Sequence, residues 1–281
     1  MEGYEPSTYG DRFADIYDDW YPPDETSAQT VDTLAELADP RQPILELGIG
    51  TGRLALPLAK RGFDVRGIDA STKMIERLRS KPGGEKIAVT LGDLGSVQVP
   101  PRPNTAAEPP PPANTGPGAA PLAPAITEPS SATATERCAL VFAAGNTIFG
   151  LLSADAQAAC FRRVSDVLIP GGRFVVEAFV PPDDGDSGQE DVAIRSMTAQ
   201  QLVLSAARRN PTQQTISGHY IELRDGSVTL RPFHLRYASV AELDAMADAA
   251  GLELEHRWSS WRRDPFTPHS TDHISVWRRP S

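Results

Sequence analysis

Apolar positions in the first hundred residues change their period several times. Ile44, Leu45 and Leu47 form a short apolar run that ends in glycines, which predicts a strand. Leu54, Ala55, Leu58 and Ala59 then recur at helical spacing up to Gly62, a residue type suited to a helix C-terminus. Pro57 fits that helix only near its first turn. Residues 63–69 predict a second strand ending at Asp69, and Ser71 is a good N-cap for a helix with Met74, Ile75 and Leu78 on one face. Residues 86–93 predict a third strand ending at Asp93.

The rhythm resumes at 138–147 with a buried-strand pattern. It continues with a helix from about Ser153, with Phe161, Val164 and Leu168 inward, and a turn and fifth strand over 170–180. Strands alternating with helices imply right-handed crossovers and a mostly parallel sheet. The last third is different. Residues 215–223 and 227–238 flank Asp225-Gly226 and predict an antiparallel hairpin within 213–238. Ser239 and Glu242 form a capping-box pattern for a helix with Leu243, Met246 and Ala250 inward, closed by Gly251, and 252–261 and 273–279 read as final strands.

Between the two halves, residues 100–136 are dominated by Pro, Ala, Thr and Ser and hold few large apolar side chains. Such a segment cannot bury enough surface to offset its ordering entropy, so it reads as a disordered insertion in a single domain over 1–281. Pro109 to Pro112 would suit a polyproline-binding partner, although a plain surface loop explains them as well. The chain has 281 residues, 40% of them hydrophobic, which is ample for one large core. A net charge of −10 disfavours nucleic acid and anionic membrane as partners and leaves small-molecule chemistry. No apolar run approaches the length of a membrane span, and the acidic N-terminus lacks a signal-peptide layout, so a cytoplasmic location is expected. Cys138 and Cys160 lie inside apolar patterns and read as buried thiols. His269 and His273 are four apart, but Pro268 before them and the strand pattern after His273 disfavour a single helical metal face, so no metal site is expected.

The candidate chemistry sits in Glu46 to Arg53, "ELGIGTGR". Glycines between a strand and a helix bring bare backbone up to a cofactor. Dinucleotide enzymes use G-x-G-x-x-G with an acid about twenty residues on, whereas here Gly48, Gly50 and Gly52 give G-x-G-x-G, with Asp69 at the end of the second strand. That acid would suit the ribose of any adenosine-bearing ligand. The ordered set "ELGIGTGR", "GIDAS" and "GDL", continued by "CALVFAAGNTIFGLL" and "PGGRFVVEAFVPP", resembles the class I S-adenosylmethionine-dependent methyltransferases, in particular members acting on small molecules.

The resemblance implies an α/β, Rossmann-like, seven-stranded and mostly parallel sheet, with helices on both faces, the last strand antiparallel and the hairpin as a lid. S-adenosyl-L-methionine would be the cofactor. Gly48 and Gly50 would admit its methionine end, Glu46 would orient the loop, Asp69 would accept from both ribose hydroxyls, and Asp93 with Leu94 would lie at the adenine. Ile49, Gly52, Arg53, Ala70 and Met74 complete the expected cofactor set. The insertion departs from the family's short connection between the third and fourth strands.

Tyr9, Phe13, Tyr17 and Trp20 fall on roughly one helical face, which suits either a lid over a sulfonium cation or core packing. Asn146, Thr147 and Tyr17 are candidate acceptor contacts, and Tyr17, His219, His234 and Glu177 are candidate bases. The C-terminal residues 257–279 resemble those of bacterial methyltransferases acting on small metabolites, some on deoxysugar amines. The expected reaction is methyl transfer to nitrogen or oxygen of a small metabolite, with a homodimer allowed. An NAD-dependent oxidoreductase and a noncatalytic nucleoside-binding module are the alternatives.

Overall fold

The computed structural model describes residues 1–101, 136–182 and 189–281. Most of the Pro-rich segment therefore lies outside the described residues. The glycine-terminated apolar run is β1 (Ile44–Leu47), followed by α4 (Ala55–Lys60), β2 (Val65–Asp69), α5 (Thr72–Arg79) and β3 (Ala88–Leu91). Ahead of them lie α1 (Thr8–Phe13), α2 (Tyr17–Trp20) and α3 (Glu25–Leu37). The second half adds β4 (Cys138–Ala143), α6 (Ala154–Val167), β5 (Leu168–Phe179), α7 (Val240–Ala249), β10 (Glu253–Trp258) and β11 (Asp272–Arg278). Leu168, expected on the inner face of α6, is instead the first residue of β5 and remains buried.

These strands form one seven-stranded sheet in the order β10-β11-β5-β4-β1-β2-β3. β11 is antiparallel to both neighbours, whereas β1, β2, β3, β4 and β5 pair in parallel. A central parallel strand is covered on both faces, which is why β4 reads as an uninterrupted apolar run and all its residues are buried. Val31, Leu34, Leu54, Leu58 and Leu78 cover one face, and Phe161, Val164, Leu243 and Ala247 cover the other.

Ser71 and Ser239 cap α5 and α7 as the sequence predicts, with a reciprocal capping box at Ser239 and Glu242, and Ser153, where the sequence starts a helix, caps α6. The expected hairpin is β8 (Thr215–Arg224) and β9 (Ser227–Arg236). Asp225 and Gly226 both have positive φ at its turn, 48° and 76°, the pattern that matches hairpin twist. The hairpin is half of a larger unit. β6 (Gln189–Met197) and β7 (Gln201–Asn210) precede it, and the four make an antiparallel sheet in sequence order.

Arg66 in β2 ties down both described flanks of the Pro-rich segment. Its side chain has no solvent exposure, donates to the Pro100 carbonyl at 2.6 Å, and pairs with Asp64 at 2.9 Å and with Glu136. These contacts lie at the start of β2, at the end of the sheet opposite the glycine loop. Arg66→Leu should cost about 2 kcal/mol in chemical denaturation, below the usual loss for a broken buried pair because Asp64 and Glu136 keep water contact. S-adenosylhomocysteine affinity of the folded variant should be unchanged. A loss of that affinity would place Arg66 in contact with the cofactor site.

Candidate active site

The sheet order reverses between β1 and β4, and the crevice at their C-terminal ends is where open α/β sheets receive ligands. The glycine loop leaves β1 on one side of that crevice, and Asn146 and Thr147 follow β4 on the other. The amides of Gly48 and Ile49 both donate to the Ile68 carbonyl, at 2.8 and 3.0 Å. Asp69 holds the next turn: its two carboxylate oxygens accept from the Gly50 amide at 2.7 Å and the Ser71 amide at 2.8 Å.

Gly48, Gly50 and Gly52 all have positive φ. Their surroundings differ. A Cβ at Gly48 would lie 2.6 Å from Thr147 Cγ2, and one at Gly52 would lie 2.4 Å from Leu78 Cδ1, so these two glycines serve close packing. A Cβ at Gly50 would meet only the Gly48 carbonyl oxygen, at 3.9 Å. The backbone of Gly50 therefore faces open space, as a ligand-approach position requires.

Two acids lie beneath this space. Glu46 is 5% exposed and its Oε2 has no hydrogen-bond partner among the described residues. Burial pushes its pKa well up, Arg53 pulls it back, and Asp69 adds to the rise. Burial likewise raises Asp69, against the amides of Ser71 and Gly50. An orphaned buried carboxyl oxygen and a carboxylate with spare lone pairs fit a ligand bearing ammonium and hydroxyl groups, which S-adenosylmethionine does.

Ile49 is buried in the core, while Arg53 and Ala70 are half-buried at the loop. Met74 packs against Phe13 and Ala14. Asp93 is exposed and accepts from the Gly95 amide at 2.7 Å, and Leu94 leans on the core.

The N-terminal stripe is broken into α1 and α2 by Ala14 to Ile16, yet its aromatic residues stay together. Tyr9 stacks on Phe13 with ring centroids 4.2 Å apart, and Phe13 meets Trp20 edge-on at 5.8 Å. This segment is clasped onto the glycine loop. Ser71 Oγ donates to Asp11 at 2.6 Å, Thr51 Oγ1 donates to Asp18 at 2.6 Å, and Lys81 Nζ reaches Asp18 at 2.8 Å. A Cβ at Gly10 would come within 2.4 Å of Ser71 Cβ, so α1 rests almost on the Asp69 corner. Burial pushes the Tyr17 hydroxyl up to about 12, with Arg53 opposing, and raises the Tyr9 hydroxyl as well. Both phenols are therefore protonated at neutral pH. They can donate or accept hydrogen bonds there but cannot serve as resting-state bases.

The other candidate bases have their own engagements. Glu177 accepts from Trp261 Nε1 and from the Gly145 amide, each at 2.7 Å, which spends one lone pair on each oxygen. His219 and His234 lie on the sheet face opposite Tyr220, because side chains alternate along a strand. His234 hydrogen-bonds Ser217 at 2.7 Å and lines a separate cleft of about 580 Å³. Asn146 accepts from the Phe179 amide at 2.8 Å and thereby ties β4 to the end of β5, and Thr147 donates to the Ala144 carbonyl at 2.6 Å. Neither residue is remote from the crevice, since Thr147 touches Gly48.

The sequence reading missed Tyr21, Arg195, Tyr220 and Arg231. Tyr220 packs edge-on to Phe13 at 5.6 Å and Trp20 at 5.3 Å, and Arg231 reaches across from β9 to Asp15 at 2.7 Å. Period-two alternation in β8 offered a signal, since it sets Gly218, Tyr220 and Glu222 on one face.

Together, the sheet, the glycine loop and the acids at the ends of β1 and β2 define an S-adenosylmethionine-dependent methyltransferase, and the chain belongs to that family. Residues 44–106 match the family model described as a methyltransferase domain. The structure of the CcbJ methyltransferase from Streptomyces caelestis is 33% identical, superposes with a TM-score of 0.80, and covers 99% of this chain and 100% of its own. The cypemycin N-terminal methyltransferase of a Streptomyces species is 22% identical over 275 residues, 91% of this chain and 97% of that protein. The fold is shared with S-adenosylmethionine-bound CalS10, an amino pentose methyltransferase from Micromonospora echinaspora. It has 15% identity, a TM-score of 0.59, and coverage of 94% and 95%.

Proposed function

We propose that this methyltransferase transfers its methyl group to an amine nitrogen of a small metabolite. The supporting observation is the set of aromatic rings, Tyr9, Phe13, Tyr17 and Trp20, that the N-terminal helices hold against the glycine loop and Tyr220. When bound, the cofactor supplies a methyl group on a sulfonium with a good leaving group. Gly50 lets its amino-acid end approach bare backbone, Glu46 offers a free carboxyl oxygen to the ammonium, and Asp69 offers its remaining lone pairs to the ribose. Asp93 and Leu94 stand at the neighbouring strand end for the adenine, and Asn146 and Thr147 border the acceptor side.

Attack by a neutral amine carries positive charge from sulfur to nitrogen, so a cation is present from start to finish. Aromatic faces stabilise that cation throughout. A hydroxyl acceptor would need its proton removed, and protonated Tyr9 and Tyr17 do not supply that base. Tyr17 can instead accept a hydrogen bond from the amine N–H and aim its lone pair, which is chiefly an alignment effect. The names of two similar proteins are in keeping with this reading, a cypemycin N-terminal methyltransferase and an amino pentose methyltransferase.

The test is a panel of amino sugars and aminoacyl compounds set beside their hydroxyl counterparts, with S-adenosylmethionine and mass spectrometric localisation of the new methyl. Methylation at nitrogen, with the hydroxyl counterparts inert, is the expected result. Methylation at oxygen would overturn it.

A further inference from the structure

β6 is the outermost strand of the second sheet, and all of its residues are exposed. Its pairing with β7 slips between Ile194 and Ser196, so Arg195 is an extra residue without a partner in the ladder. A bulge of this kind re-aims a side chain. Here it turns Arg195 away from its own strand and onto the N-terminal helices. The guanidinium lies 5.1 Å from the Trp20 ring centroid, 5.4 Å from Tyr21 and 4.9 Å from Tyr220, and donates to the Tyr21 hydroxyl at 2.9 Å. It is a cation held by three aromatic faces.

The rings under Arg195 continue toward the cofactor loop. Tyr21 meets Tyr17 at 4.8 Å, and Tyr17 stands beside Arg53 and Glu46. On the same N-terminal stretch Asp15 is paired with Arg231, and Asp18 with Lys81 and Arg77, so it is the rings, already holding a guanidinium, that favour an organic cation. A guanidinium on an exposed edge strand is an easily displaced occupant.

We propose that the Trp20, Tyr21 and Tyr220 surface is the docking site for an organic ammonium group of the methyl acceptor, and that Arg195 is a tethered stand-in cation that leaves when the ligand arrives. This rests on the reading of the enzyme as an amine methyltransferase. Arg195 would then set specificity as a competitor: it keeps weakly cationic compounds out of the corridor and yields to a ligand that also engages the groups near Tyr17.

Binding without turnover separates this proposal from the reaction it rests on. The probes are choline and its uncharged isostere 3,3-dimethylbutan-1-ol, titrated into wild type, Arg195→Ala and Arg195→Gln in the presence of S-adenosylhomocysteine. The readout is the Trp20 indole resonance, assigned by its loss in Trp20→Phe. Choline should bind both Arg195 variants roughly tenfold more tightly than wild type, while the isostere gains little. Equal gains for both probes would make the surface a plain apolar pocket, and no gain for choline would make Arg195 a fixed structural latch; either result overturns the proposal. Methyl transfer to oxygen in the acceptor panel would instead strike the amine reading, whatever choline does.

Discussion

Asp69→Ala is expected to bind S-adenosylhomocysteine more weakly by about 1.5 to 3 kcal/mol, the scale for hydrogen bonds to a charged group, which is roughly ten- to more than a hundredfold in affinity. Two effects act in the same direction. In the proposed role of Asp69 the ribose loses its carboxylate, and the amides of Gly50 and Ser71 lose the acceptor that fixes the loop. Asp69→Asn separates them in part, because its amide group can satisfy only one of the two backbone donors through oxygen. Its affinity should fall between wild type and Asp69→Ala. Isothermal titration, with circular dichroism to establish that the variants are folded, makes the measurement. Unchanged affinity in a folded Asp69→Ala would remove this residue from the cofactor site.

The second large effect is on stability against acid. His273 has no solvent exposure, and burial, aided by Arg257 and opposed by Asp244, pushes its pKa down to about 4 from 6.5. Arg257 Nε donates to Ser275 Oγ at 2.8 Å, Ser275 Oγ is hydrogen-bonded to His273 Nδ1 at 2.9 Å, and His273 Nε2 is buried without a hydrogen-bond partner among the described residues. A second proton would have to enter this buried network.

The unfolded chain binds that proton as pH falls through 6.5, while the folded chain resists it down to about 4. Stability linked to His273 is thus intact above 6.5 and lost progressively across that window, by about 3 kcal/mol in all. Glu46 and Asp69 act in the opposite sense, since their folded pKa values are raised. The comparison must therefore be a difference. Urea unfolding of wild type and His273→Leu between pH 7.5 and 4 should give curves that diverge by that amount, the variant losing less. Parallel curves would mean that His273 takes up its proton in the fold as readily as in the unfolded chain.

Much of the cofactor side was legible because it is local. A strand, three glycines and an acid at the end of the next strand are contiguous segments, and each segment's spacing dictates its own backbone. Caps at Ser71 and Ser239 were legible for the same reason, since a cap and its recipient amide are three residues apart. The face proposed for the acceptor was less readable. Tyr220 lies some two hundred positions from Trp20, and Arg195 acts through a bulge that no periodicity announces. β6, with every residue exposed, lacks the hydrophobic contrast from which a strand is recognised.

The sequence by itself determined the class of fold, the glycine loop and the acid at the end of the next strand, because hydrophobic period and glycine placement act over a few neighbouring residues. Only the tertiary structure decided which glycine faces open space, that Glu177 is already engaged by Trp261 and Gly145, and that the N-terminal rings meet a second sheet bearing Tyr220 and Arg195. Those outcomes depend on which distant surfaces come into contact. Such contact is set by the packing of whole elements, and no local pattern encodes it.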